Sequence, residues 1–223
     1  MSSPFDALSE PLPRRLAAGI ARLSAALRAG QWRRAEAEGL TPTQAQILGL
    51  LARRGALRVS AVAELLGVTR PTAGDAVAAL ERKRLLVRVP DPEDGRAASL
   101  KLTARGRAVE RRAGEWPAFL LEAAEDLPPA EQEALLRLVT RMILGLQQRG
   151  AIAPGRLCVT CRFFRAHAHD DAAAPHHCAF VDAPFGERHL RLDCPEHAPA
   201  APEAMAAAIA RHAGPPSAAA PAR

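Results

Sequence analysis

Apolar residues recur at intervals of three and four over most of the first 150 positions, and that period predicts helices. Leu12, Leu16, Ile20, Leu23 and Leu27 fall on one stripe and predict a helix over 11–37. Thr41-Pro42 opens a second helix, with Thr41 as N-cap and Pro42 at the first helical position; Ile47, Leu48, Leu50 and Leu51 face its core and Gly55 ends it. Leu57-Arg58-Val59 reads as a short strand, and Ser60 is expected to cap a brief helix that Gly67 stops in a left-handed conformation. Thr69 caps the next helix, over 69–83, whose inner face is Ala73, Val77 and Leu80. The small side chain of Ala63 lets these last two helices cross closely, so 59–83 reads helix, tight Gly turn, helix.

The period then changes. Leu85 to Val89 alternates weakly, PDPEDG supplies turn residues, and Ala98 to Leu102 alternates again with Leu100 and Leu102 on one face. This predicts two short strands joined by a charged turn, a wing set directly behind a helix–turn–helix. Thr103 caps a long helix running toward Leu121 and interrupted near Pro117. After a break at Leu127-Pro128-Pro129, a last helix over 130–148 carries Leu135, Leu136, Val139, Met142, Ile143 and Leu146 at helical spacing, and Gly150 and Pro154 close the domain. The predicted fold is mainly α with a small β wing. It comprises a winged helix–turn–helix domain with helical dimerisation elements over 10–150, a small Cys-rich module over 156–197, and an Ala/Pro tail over 198–223. The tail is expected to be disordered, although PEAMAAAIARH has the composition of a short helix.

Charge sharpens this picture. The 223 residues carry a net charge of +6, and 69–112 alone hold eleven Arg or Lys against six Asp or Glu. A basic surplus on the helix–turn–helix and wing favours a polyanionic partner. The N-terminus has no apolar core of signal-peptide type and no window approaches the length of a membrane span, so a cytoplasmic location is expected. No G-x-S-x-G, H-E-x-x-H or P-loop occurs, and the chain is not expected to be an enzyme.

The helix starting at Thr69 is the candidate recognition helix. Its N-terminal positions Thr69, Arg70, Thr72 and Asp75 are placed to face a major groove, where Arg70 can donate to guanine and Asp75 can accept from cytosine or pair with an Arg. At the wing tip Asp94 stands two residues before Arg96, close enough to hold the guanidinium outward for a narrow minor groove, while Arg88, Lys101 and Arg105 reach the backbone. A solvated charged hairpin is the plain alternative for the D-x-R alone; its place behind a helix–turn–helix decides against that.

The order of elements, with Asp94-x-Arg96, Leu100-x-Leu102-Thr103 and Gly106, resembles the MarR family of bacterial winged-helix regulators over roughly residues 10–150. The resemblance implies an obligate homodimer joined by its first and last helices, binding a pseudo-palindromic double-stranded DNA operator. It also implies a repressor released by a small-molecule effector or an oxidant. Two features depart from the family: Gly95-Arg96 replaces the consecutive basic residues many members carry at the wing tip, and the C-terminal extension is absent from ordinary members. The apolar stripes of the two terminal helices, with nothing in a small core to cover them, support the dimer independently.

That extension carries Cys158, Cys161, Cys178 and Cys194 with spacing C-x2-C-x16-C-x15-C. Four cysteines so close together are candidate ligands for tetrahedral Zn or an iron–sulfur cluster. Cys194-Pro195 and the aromatics Phe163, Phe164 and Phe180 favour a cluster of 4Fe–4S type, and the spacing is similar to that of high-potential iron–sulfur proteins. Such a cluster would tune DNA affinity with redox or iron status; structural zinc, with the signal arriving as a small molecule in the dimer cleft, is the main alternative. An electron-transfer accessory whose winged helix binds protein is the third reading. His176, His177, His189 and His197 could replace a ligand or support one. A module this short cannot fold on apolar burial alone, so its Phe residues read as a small core around the metal.

Overall fold

The computed structural model describes residues 9–91, 94–113 and 117–213, which form two compact units divided at Ala123/Ala124. The first unit begins with α1 (Leu12–Ala37) and α2 (Pro42–Arg54). Thr41 caps α2 as expected: its hydroxyl accepts from the Gln44 N–H while the Gln44 side chain accepts from the Thr41 N–H, a reciprocal capping box. β1 (Leu57–Arg58) leads into α3 (Val59–Leu66) and α4 (Arg70–Arg82). The N-cap of α3 is Arg58, not Ser60, and no side chain bonds the freed amides there. β1 ends directly in the helix, leaving Ser60 inside the first turn. Gly67 has φ 64 and ψ 32, and Val68 N–H reaches the Ala63 carbonyl at 3.0 Å, closing α3 as the left-handed stop that only glycine adopts without cost.

β2 (Leu86–Pro90) and β3 (Ala98–Leu102) form the wing, with β3 central in an antiparallel sheet of order β1-β3-β2. The register pairs Leu86 with Leu102 and Arg88 with Leu100, which turns Leu86, Leu100 and Leu102 inward together. α5 (Ala104–Ala113) follows, capped by Thr103, whose hydroxyl accepts from the Gly106 N–H at 2.9 Å. One core unites Ile47, Leu48, Leu51, Val62, Val77, Leu80, Leu86 and Leu100. A side chain at Gly106 would run into the Leu85 carbonyl, so the helix packs on the strand entry only because the position is glycine. The interruption expected near Pro117 is present: α5 covers Ala104–Ala113 and α6 (Ala118–Glu125) starts beyond Pro117, which cannot continue a helix.

The second unit is built on α7 (Pro129–Gln148). A three-stranded antiparallel sheet of β4 (Phe164–Arg165), β5 (His176–Cys178) and β6 (Ala183–Phe185) packs with α7 and with α8 (Pro202–Ala213). Leu144, Leu157, Val159, Phe164, Ala166, Leu190 and Ala208 make its core, with Leu136 and Ile143 of α7 packed against it. α7 gives one apolar face to the cysteine module, and the compact units divide at Ala123/Ala124. The helix that PEAMAAAIARH allowed is present as α8, which buries Ala208 and His212; the remaining tail residues, 214–223, lie outside the described residues.

Candidate DNA interface and four-cysteine site

α4 presents its N-terminus to solvent. The Thr69 hydroxyl accepts from the Thr72 N–H at 3.3 Å and lies 2.8 Å from the Thr72 hydroxyl, so both threonines organise the helix start. Such a cap is worth about 1 kcal/mol. Arg70 and Asp75 are exposed, and neither has an ion-pair partner among the described residues. Arg88 is exposed on β2 and pairs with Glu81 of α4 at 3.0 Å, locking wing to helix. Lys101 is exposed on β3.

At the wing tip Asp94 does not hold the Arg96 guanidinium. Asp94 Oδ1 accepts the Arg96 backbone N–H at 3.1 Å, shaping the turn, and the exposed guanidinium has no partner among the described residues. The other Asp94 oxygen, Oδ2, faces Arg58 Nη2 at 3.9 Å. Pro92 and Glu93 lie outside the described residues.

Sequence reasoning missed the residue that anchors the wing. Asp91, with a side chain only 7% exposed, receives Arg58 through both nitrogens, Nη2 to Oδ1 at 2.7 Å and Nε to Oδ2 at 2.9 Å. Its Oδ2 also accepts the Ser99 hydroxyl at 2.6 Å, and its Oδ1 the Asp94 N–H at 3.2 Å. The β1–β3 register sets Arg58 opposite Ser99, so three strands meet on one carboxylate. No spacing signal announces this; Asp91 read as one more turn residue.

Residues 38–97 match the MarR family model. The MarR match runs from the end of α1 to the wing tip. Among solved structures, the MarR family transcription regulator SP03579 aligns at 22% identity with a TM-score of 0.53, over 60% of this chain and 92% of that one, a likeness of fold. RV1404 from Mycobacterium tuberculosis (26% identity, 66% and 99% covered, TM-score 0.49) is also similar. So is PcaV from Streptomyces coelicolor, solved with its natural ligand (29%, 60% and 96%, 0.47). No curated protein matches the chain. Beyond the MarR match, the second unit has its own chemistry.

Cys158, Cys161, Cys178 and Cys194 all line one cavity of about 290 Å³. Cys158 and Cys161 flank a single 3-10 turn, Cys178 ends β5, and Cys194 follows the 3-10 turn Glu187–His189. All four are unbridged. Phe163, Phe164, Phe180 and Phe185 form much of the wall. Arg191 serves two sulfurs, its backbone N–H donating to Cys158 Sγ at 3.2 Å and its guanidinium to Cys194 Sγ at 3.7 Å. The same guanidinium pairs with Glu196 at 3.1 Å. Burial pushes the Cys158 thiol up, the Arg191 N–H lowers it, and the other three cysteines raise it further.

The expected histidines do other work. His197 bonds Thr160 at 3.0 Å, and His177 lies against His169 and Asp182. His189 lines the cavity, with its Nδ1 accepting from the Gly186 N–H. His176 is fully buried; its Nδ1 accepts the His167 N–H, so its Nε2 carries the proton that faces Glu187 Oε1 at 3.2 Å. His212 of α8 meets the other Glu187 oxygen at 3.4 Å. Burial alone would raise the Glu187 carboxyl, but the two histidine hydrogen bonds outweigh it and hold it well below the usual carboxylate range. These three side chains are close enough to ligate an ion, yet each already has a partner, and together they pin α8 to the module.

Proposed function

We propose that this chain is a sequence-specific DNA-binding transcriptional regulator that works as a homodimer, most simply as a repressor. The observation that carries the reading is the pairing of an exposed, N-capped helix start bearing Arg70 with a wing whose Arg96 guanidinium has no partner among the described residues. One can enter a major groove while the other reaches the adjacent minor groove. The homodimer rests on two uncovered apolar stripes, Leu12, Leu16, Ile20 and Leu23 on α1 and Leu135, Leu138, Met142 and Leu146 on α7. A two-fold dimer then presents two recognition helices to a pseudo-palindrome. The four-cysteine module supplies the signal, its occupancy or oxidation state reporting iron or redox status to the dimer.

Selection of duplexes from a random library, followed by anisotropy titration of the winners, tests this. An enriched inverted repeat bound with a steep loss of affinity as salt rises is expected, because phosphate contacts release counterions. Absence of any enriched duplex, or binding indifferent to salt, would defeat the reading. Among the described residues no helix is long and apolar enough to cross a membrane.

A further inference from the structure

We propose that the four-cysteine cavity holds a cubane-type iron–sulfur cluster, ligated by Cys158, Cys161, Cys178 and Cys194, in preference to a single zinc ion. This deepens the reading of the module as the signal-bearing part. Zinc–sulfur bonds of about 2.3 Å in a tetrahedron put every pair of sulfurs about 3.8 Å apart. Among the described residues, the group of three or more His, Cys, Asp or Glu whose ligand atoms lie within 4.8 Å of one another is His176, Glu187 and His212. No three of the four cysteine sulfurs come that close, although all four border the same cavity. The thiols converge on a volume, and they do not converge on a point. A cubane meets this need, since each iron sits at a corner and takes its own outward thiolate.

The walls agree. A mononuclear site has no use for a space of about 290 Å³ walled by phenylalanines, whereas the inorganic sulfides of a cluster face side chains of this kind. The cluster and its thiolates form an anion, and Arg191 answers it with a backbone N–H on Cys158 and a cation beside Cys194. Hydrogen bonds to ligand sulfur and nearby charge are what set a cluster's potential, so Arg191 is a positioning residue for the cofactor.

The test uses the full chain, purified without oxygen and reconstituted with ferrous iron and sulfide. About four irons and four acid-labile sulfides per chain, with broad visible absorption, are expected for a cubane. A colourless protein that rejects iron and keeps one zinc per chain overturns the proposal. Operator binding on the same preparations separates the two readings, since a zinc-loaded chain that still binds its operator refutes the cluster and leaves the regulator standing. Cys161→Ser should lose the iron. Because Cys161 is buried and the variant could misfold, Cys194→Ser at the more exposed ligand is run beside it; full iron content in a folded form of either removes that ligand. Arg191→Gln should keep its iron and lower the midpoint potential, and an unchanged potential removes Arg191 from the site.

Discussion

Arg96 and Asp94 divide the labour of the wing tip between side chain and backbone. Asp94 fixes the turn through the Arg96 N–H, leaving the guanidinium for a partner. Replacing Arg96 with Ala should weaken operator binding about tenfold or more at fixed salt while the dimer stays intact; anisotropy and sedimentation together check this. Asp91 is different in kind, because its carboxylate carries the wing base. Asp91→Asn keeps the shape but removes the charge that Arg58 and the Ser99 hydroxyl both address. Arg58 is substantially exposed, so the loss should be modest, about 1–3 kcal/mol by urea denaturation, with operator affinity falling as the wing loosens. Gly106→Ala meets the Leu85 carbonyl, which is backbone and cannot rotate away. Overpacking of this kind costs about 1–3 kcal/mol or more, and a lower urea midpoint at unchanged slope is expected. The turn at the D-x-R was legible because both residues are local, but Asp94 bonds the Arg96 backbone N–H and not the guanidinium the motif suggested. Asp91 was not legible, because its partner Arg58 is 33 positions away and only the β1–β3 register brings it near.

At the scale of elements, the helical period located nearly every helix, and Gly67, Thr41 and Thr69 marked ends that the structure uses as read. What the period could not say is which neighbour each apolar face meets. α7 is apolar on two sides: Leu136, Ile143 and Leu144 pack on the cysteine module, while Leu135, Leu138, Met142 and Leu146 stand exposed at spacings of three and four. A helix read from sequence as one dimerisation stripe therefore serves as a core wall and, on the proposed reading, as an interface. Leu138→Glu combined with Met142→Glu places two charges on the exposed face and touches nothing in the core. The variant should keep its helix content and lose self-association. Operator affinity should collapse with it, since one half-site alone forfeits the avidity of two. Sedimentation equilibrium that still finds a dimer would show that α7 is not the interface.

For the molecule as a whole, the four cysteines line one cavity, and α8 closes the unit that contains it. Glu187 and His212 are 25 positions apart, and only the fold shows that α8 is held by that contact. Of the apolar side chains in the second core or packed against it, Phe163, Phe164 and Phe185 also line the four-cysteine cavity. The unit's stability should thus be bound up with occupancy of that cavity. A ligand present at a hundred times its dissociation constant adds about 2.7 kcal/mol to the state that binds it, a large share of what a domain of this size has to lose. On the proposed reading, stripping the cluster with a strong chelator should lower the melting transition of Ala124–Arg223 and leave that of Met1–Ala123 in place, so that a calorimetric scan resolves two events. Because α7 belongs to the weakened unit and carries the proposed interface, the stripped chain should also dissociate at higher concentration and bind its operator less tightly. A single unshifted transition after complete removal would mean that the cofactor does not support this unit, and the coupling from cysteine cavity through α7 to DNA would have no thermodynamic basis.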